Sequence, residues 1–434
     1  MDVGFPVIAF PSKRLRFLIS QPKQREINNQ SLKTPVSFVP MAAISEAGVM
    51  NAEETKPLED VMAGYTFFRN GDVVIAKITP CFENGKGAIA RDLINGIGFG
   101  TTEIFVLRPS CRIDERFLYY FTASQYFRGI GTGLMYGAGG QKRIPDTLIL
   151  NIPFPDIPRG EQSGIADFLD NETAEADALV TKYERLIELL EEKRVALISQ
   201  AVTKGLNANV PTKDSGVEWI GKIPKHWKFQ RISRIFRTIG SGTTPPASEA
   251  EWYDGDTPFV TTAELRENIV IESARSVTAS ALQKYTSLRI YPPGTILLAM
   301  YGATIGRSAI LGIPASVNQA CCALGDSRVL TTDFAFKWLQ AYRCEIIALG
   351  IGGGQPNISQ DLVRAIQMPV PPIAEQRDIS TQVDEQVDEL VKLRLKTESA
   401  IALVREHRSA LITAAVTGQI DVTKYKERNL KVVA

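Results

Sequence analysis

Apolar residues along this chain fall into two alternating textures. In the first, they recur at three- and four-residue steps, at Ala176, Leu179, Tyr183, Leu186, Leu190, Leu197 and Ala201, the spacing of one stripe on an α-helix. The same texture returns at Leu390, Leu393, Thr397, Ala400, Val404, Leu411 and Ala415. No Pro or Gly lies between Ile165 and Lys204 or between Ile379 and Thr417, so each stretch predicts one helix roughly 57 Å long at about 1.5 Å per residue. Each stripe is broken once, by Lys193 and by His407, which we read as polar seam residues that fix helix register. Two such helices are expected to bury their stripes against one another as a coiled coil.

The second texture is short and punctuated by glycine. "FFRNGDVVIAKITPCFENGKGAI" (67–89) parallels "RIYPPGTILLAMYGATIGRSAI" (289–310): a Gly turn, a strand of alternating apolar residues, a polar glycine-bearing loop and another strand. Further on, "GAGGQKRIP" (137–145) parallels "GIGGGQPNIS" (350–359), and each precedes a Pro-punctuated run leading into a helix.

These parallels are a duplication. Shifted by 214 positions, Glu161–Thr203 overlays Glu375–Thr417 without a gap, and 18 of the 43 pairs are identical, Gln162 and Gln376 among them. An internal repeat of this kind sets the architecture before any single motif does. The expected fold is α+β and pseudo-two-fold symmetric: two mixed modules (1–153 and 214–368) joined by two long antiparallel helical segments (154–213 and 369–434), with the modules at opposite ends.

Composition narrows the chemistry. With 44% hydrophobic and 22% charged residues, the chain has the make-up of an ordinary soluble protein. Five cysteines without a CxxC pair and two histidines point to reduced thiols in a cytoplasmic setting and to no metal site. The N-terminus shows no signal-peptide pattern. The net charge is only +1, yet it is unevenly placed. Residues 1–150 carry 17 Lys+Arg against 14 Asp+Glu, and 216–366 carry 15 against 12. Arg outnumbers Lys in those two segments by 20 to 12, and the planar Arg fork suits phosphate and guanine edges.

Exposed Gly-rich loops can bring backbone N–H groups near phosphate, and flanking Gln, Asn, Lys and Arg can read base edges. The loops at 77–86, 139–143, 301–307 and 353–357 have this composition, and they recur at equivalent points of both modules. The sequence contains no GxxxxGK[ST], HExxH or GxSxG motif, and no NPP[YFW] or DPPY of the amino-methyltransferase kind, so no catalytic constellation is assigned. A non-DNA coiled-coil scaffold with two protein-binding modules, and a self-contained nuclease of scattered Asp, Glu and Lys, stay open on the residues alone.

"DSGVEWIGKIPKHWK" (214–228), "GDVVIAK", "GTILLAMYGATIGR", "GTTEIFVLRP" (100–109), "VNQACCAL" (317–324), "GGGQPNIS" and "PVPPIAEQ" (369–376) together resemble the specificity (S) subunits of type I restriction-modification systems. The first module departs from that pattern, with "SKRLRF" (12–17) in place of the Trp-Ile-Gly…Trp entrance and "KITPCFENGKG" in place of "GATIGR".

The resemblance implies a non-catalytic, cytoplasmic DNA-recognition subunit. Each module would be a target-recognition domain reading one half of a bipartite site in double-stranded DNA, and the helices would set the gap. The helices would also dock two DNA adenine methyltransferase subunits, which supply S-adenosylmethionine. Restriction and motor subunits would add ATP and Mg. On this view DNA contacts fall to Lys77, Thr79, Lys86, Thr101, Thr102, Gln141, Lys142 and Arg143 in the first module. In the second they fall to Thr243, Thr244, Tyr301, Thr304, Arg307, Asn318, Gln319, Gln355 and Asn357; Thr101, Thr304 and Asn318 have the strongest claim to being structural instead.

Overall fold

A computed structural model describes residues 8–137, 141–207, 209–350, 357–422 and 424. The chain divides into two compact units, Met1–Glu184 with Glu398–Ala434, and Arg185–Thr397. Each unit therefore holds one mixed module together with half of each long helix.

In the first unit, β1 (Ile19–Ser20), β4 (Val73–Ala76), β5 (Gly87–Ile89) and β7 (Ile104–Pro109) form an antiparallel sheet in the order β1-β7-β4-β5. A second sheet is built on β2 (Pro35–Val39), β3 (Thr66–Arg69) and β6 (Ile97–Gly100), with β2 and β6 parallel and β3 antiparallel to β6. Helices α1 (Glu115–Ala123) and α2 (Gln125–Gly133) follow, and α3 (Arg159–Lys204) begins in this unit. The second unit repeats the plan. There β8 (Phe236–Ser241), β10 (Ile296–Ala299), β11 (Ser308–Leu311) and β13 (Cys321–Ser327) are ordered β8-β13-β10-β11, beside a sheet on β9 (Tyr253–Val260) and β12 (Ser316–Val317), which run parallel. Then come α4 (Thr332–Ala341), α5 (Arg343–Ala348) and α6 (Ile373–Thr417).

The central strands differ from the alternating pattern expected of them. All four residues of β4 and of β10 are buried, because each strand is covered on both faces. Val73 and Ile75 join a core with Phe117, Phe121 and Phe154, whereas Val74 packs with Val39, Phe68 and Ala88. Strands buried on two sides read as continuous apolar runs.

Within the first unit the start of α3 meets the end of α6. Ile165 and Leu169 share a core with Leu411, Ile412 and Ala415, and ion pairs run Asp177–Arg408 and Glu184–Arg405, so the two halves are antiparallel. Within the second unit the end of α3 meets the start of α6, through Ile198, Ala201 and Val202 against Ile379 and Val383.

The seam follows the expected one except at two positions. Leu190, Leu390 and Leu411 are buried, and Tyr183, Leu186, Leu197 and Val404 are partly so, but Leu179 and Leu393 are 38% and 44% exposed. Val180 and Ile401 are turned further inward than Leu179 and Ala400, and Ile187 is half-buried beside Leu186. The expected register is kept along both helices, and the apolar stripe widens locally into the adjacent row at Val180, Ile187 and Ile401. At the polar interruption the inward side chain is the neighbouring one. Lys193 and His407 are exposed, and the half-buried residues at the break are Arg194 and Arg408. Arg408 Nε lies 3.1 Å from Asp177, and Arg194 Nη2 lies 2.7 Å from Glu191.

One duplicated side chain ties each helix to its module. Gln162, 1% exposed, accepts the N–H of Asp114 at 3.0 Å and donates to the carbonyls of Arg112 and Ile157 at 3.2 and 2.9 Å. Gln376, fully buried, accepts the N–H of Thr331 at 2.7 Å and donates to Val329 and Pro371 at 2.7 and 2.8 Å. Asp114 and Thr331 are the N-caps of α1 and α4, so an amide at the root of each long helix holds the first turn of the helix pair packed on it.

Replacing Gln376 by Ala strands a buried N–H and two carbonyls and should cost about 2–4 kcal/mol. A fall in urea midpoint no larger than that of the exposed control Glu161→Ala would refute this role. Burial also raises the Cys322 thiol pKa to about 12 and raises that of Cys321. At pH 8 a thiol reagent should therefore label the exposed Cys111 and Cys344 while sparing Cys321 and Cys322 until denaturant is added.

Candidate nucleic-acid interface

The polar loops of each module gather at one end of its central sheet, and main-chain hydrogen bonds hold them there. In the first unit the loop after β4 is fixed on three sides. Lys77 N–H donates to the Glu103 carbonyl at 2.9 Å, Ile144 N–H donates to the Lys77 carbonyl at 3.0 Å, and Ala76 N–H donates to the Lys86 carbonyl at 2.9 Å. In the second unit Met300 N–H donates to Ala320, Ile358 N–H to Met300 and Ala299 N–H to Arg307, each at 2.8 Å. The two sets are the same three bonds. They place Lys86 opposite Arg307, Glu103 opposite Ala320, Arg143 opposite Asn357, and the Thr101-Thr102 pair opposite Asn318-Gln319.

The side chains on this common frame differ. In the first unit Thr79 exchanges bonds with the Lys142 backbone, donating N–H at 3.0 Å and accepting through Oγ1 at 2.9 Å. Lys142 and Gln141 are exposed beside it. Lys77 Nζ sits 3.2 Å from Asp146, and the Lys86 ammonium approaches the Met41 carbonyl at 3.5 Å. Arg143 forms a two-pronged pair with Glu103, through Nε at 2.9 Å and through Nη2. That pair is the first cause of a Glu103 carboxyl held below the usual range, opposed by partial burial and reinforced by the charge of Lys77. Thr102 is exposed, while Thr101 turns its hydroxyl into a buried position with no hydrogen-bond partner.

In the second unit Thr244 donates to Gln319, and both are exposed. Thr243, Tyr301 and Arg307 are half-buried, and burial raises the Tyr301 phenol. Thr304 closes the turn by accepting the Arg307 N–H at 3.0 Å through its carbonyl. Gly306 lies in the left-handed region at φ 73°, and a Cβ there would come within 2.7 Å of Ile347, which is why the tight turn before Arg307 takes glycine. Asn318 is bound through its backbone to Val260 and Gly242, with its Oδ1 buried and unpartnered like the hydroxyl of Thr101. Asn357 is exposed, and Gln355 falls outside the described residues.

All the candidates named from sequence and described thus lie on one edge per unit. Sequence reasoning passed over Glu103 and Asp146, which pair with Arg143 and Lys77 across 40 and 69 residues of chain. Nothing local marks a carboxylate as the partner of so distant a cation. Among the described residues no group of three or more His, Cys, Asp or Glu could hold a metal, and no helix is long and apolar enough to cross a membrane.

A family model described as the type I restriction modification DNA specificity domain matches residues 224–398. The chain is 24% identical over 473 aligned positions to the type I restriction enzyme EcoEI specificity subunit of Escherichia coli, covering 88% of this chain and 78% of that one. It is 48% identical to the EcoAI specificity subunit of Escherichia coli over 132 residues, 30% of this chain and 22% of the relative. Two solved structures share the fold. One comes from work on complex assembly and conformational transition of the type I R-M system, with TM-score 0.73, 18% identity and coverage of 96% of this chain and 100% of that one. The other is the HsdS subunit from Thermoanaerobacter tengcongensis, with TM-score 0.54, 19% identity and coverage of 95% and 97%.

Proposed function

The chain belongs to the specificity-subunit family of type I restriction-modification systems, and from that premise we propose that its two sheet edges are the surfaces that read DNA. It is a DNA sequence-specificity subunit, a recognition component without chemistry of its own. Residues 1–153 and 214–368 act as the two target-recognition domains, each reading one half of a bipartite double-stranded site. Residues 154–213 and 369–434 set the gap and dock two adenine methyltransferase subunits, which bring S-adenosylmethionine. The assembly acts in the cytoplasm, and in systems that also restrict it takes up further subunits using ATP and Mg.

The observation that carries this reading is the pair of matched frames. The same three main-chain bonds hold both edges, and the exposed groups upon them are donors and acceptors of unlike identity. A surface for one common ligand would keep its side chains the same; two readers of different sequences keep the frame and vary the side chains. Contacts are assigned to Lys77, Thr79, Lys86, Thr102, Gln141, Lys142 and Arg143 on the first edge. On the second they are Thr243, Thr244, Tyr301, Arg307, Gln319, Gln355 and Asn357. Thr101, Thr304 and Asn318 shape the turns beneath.

Binding by the complex of this chain with its methyltransferase should weaken steeply with salt, as phosphate contact requires; a scaffold for proteins would show no such slope on DNA. Arg307→Ala should cost about 1–3 kcal/mol on sites with an intact second half and relax selection there if the contact is to a base edge. Equal loss on all sequences, with the salt slope reduced by about one, would assign Arg307 to phosphate instead. Lys142→Ala tests the first half-site in the same way.

A further inference from the structure

The first reading edge keeps a negative charge where a phosphate-binding surface would not. Glu103 stands just before β7, its side chain 25% exposed, gripped by an Arg143 that is itself 56% exposed. The carboxyl is ionised near neutrality, held so by the Arg143 hydrogen bonds first and the nearby Lys77 second. Two explanations are available, a scaffold bond and a reading group.

The second unit separates them. The position matching Glu103 is Ala320, and its carbonyl accepts the Met300 N–H just as that of Glu103 accepts the Lys77 N–H. The frame needs only the main chain at this point. The position matching Arg143 is Asn357, so the ion pair belongs to what differs between the edges and not to what they share. Differences between two otherwise equal frames are where specificity resides.

The chemistry then limits what the pair can meet. Apposed to phosphate, a carboxylate is repelled; facing base edges, it can only accept, and the amino groups of cytosine and adenine are the donors on offer in the major groove. Arg143 uses Nε and one hydrogen of Nη2 on Glu103. That leaves Nη1 and the second Nη2 hydrogen side by side, the fork that fits guanine O6 and N7. Acceptor and donors held in a fixed arrangement complement a single G·C pair, whose guanine offers two acceptors and whose cytosine offers the N4 amino group.

We propose that Glu103 and Arg143 act as one specificity-determining unit that reads a G·C base pair in the first half-site, Arg143 donating to guanine and Glu103 accepting from the cytosine amino group. The proposal rests on the DNA-reading function assigned above. Its test uses the complex with the methyltransferase, with wild type, Glu103→Gln, Glu103→Ala and Arg143→Ala assayed on duplexes randomised in each half-site, and urea midpoints confirming the fold.

Wild type should require G·C at one position of the first half. Both Glu103 variants should lose about 5- to 150-fold of discrimination at that position, bind unrelated DNA more tightly because a negative charge is gone, and select the second half as before. Unchanged selection at every position, or a uniform loss on all sequences in Arg143→Ala, overturns the pair while leaving the DNA-reading function intact if Arg307→Ala still relaxes the second half. Absence of sequence selection in wild type overturns both.

Discussion

The architecture depends on a buried amide used twice. Gln162 and Gln376 each satisfy one N–H and two carbonyls at the junction where a long helix begins and a helix pair packs across it. A primary amide offers a carbonyl and an NH2 in one plane, so it can close an N-cap and a loop at once, and shorter hydroxyls or acceptor-only carboxylates cannot. The central strands behind each reading edge share a core with α1 or α4, through Val73, Ile75 and Phe105 in one unit and Ile296, Leu298 and Cys322 in the other. Where the helix points, the module follows.

Around that junction the two units meet one need with different residues. Asp170 and Asp384 occupy the same repeat position; the first accepts from Tyr120 at 2.7 Å and the second from Lys337 at 2.9 Å. Near the other end the attachment falls on different repeat positions: Thr413, the counterpart of Ser199, accepts the Gln125 N–H, whereas Thr203, the counterpart of Thr417, shares a hydrogen bond with Tyr342. At Asp170 and Asp384 the duplicated helices keep the acceptor while the modules supply different donors.

Much of this was legible in the residues and some was not. The ungapped repeat disclosed both helices, and glycine punctuation located the loops that the structure brings to one edge. Strand burial was misjudged because Val73–Ala76 and Ile296–Ala299 have apolar partners on both faces, a property of the layers and not of the strand. The helix stripe was legible except at Leu179 and Leu393, which packing leaves exposed; spacing alone does not separate Leu179 from its apolar neighbour Val180, which is turned further inward. At the edge, polar loop residues were recognisable by type, but Glu103 and Asp146 were not, because their cations arrive from distant parts of the chain.

The frame of three main-chain bonds has a further consequence for how such a protein changes over generations. Since carbonyls and N–H groups carry the frame, an exposed residue upon it can be exchanged with little effect on folding free energy. New binding preferences can therefore accumulate stepwise, each ancestor along the way remaining a folded molecule, and the two halves can diverge independently from what was once a single copy.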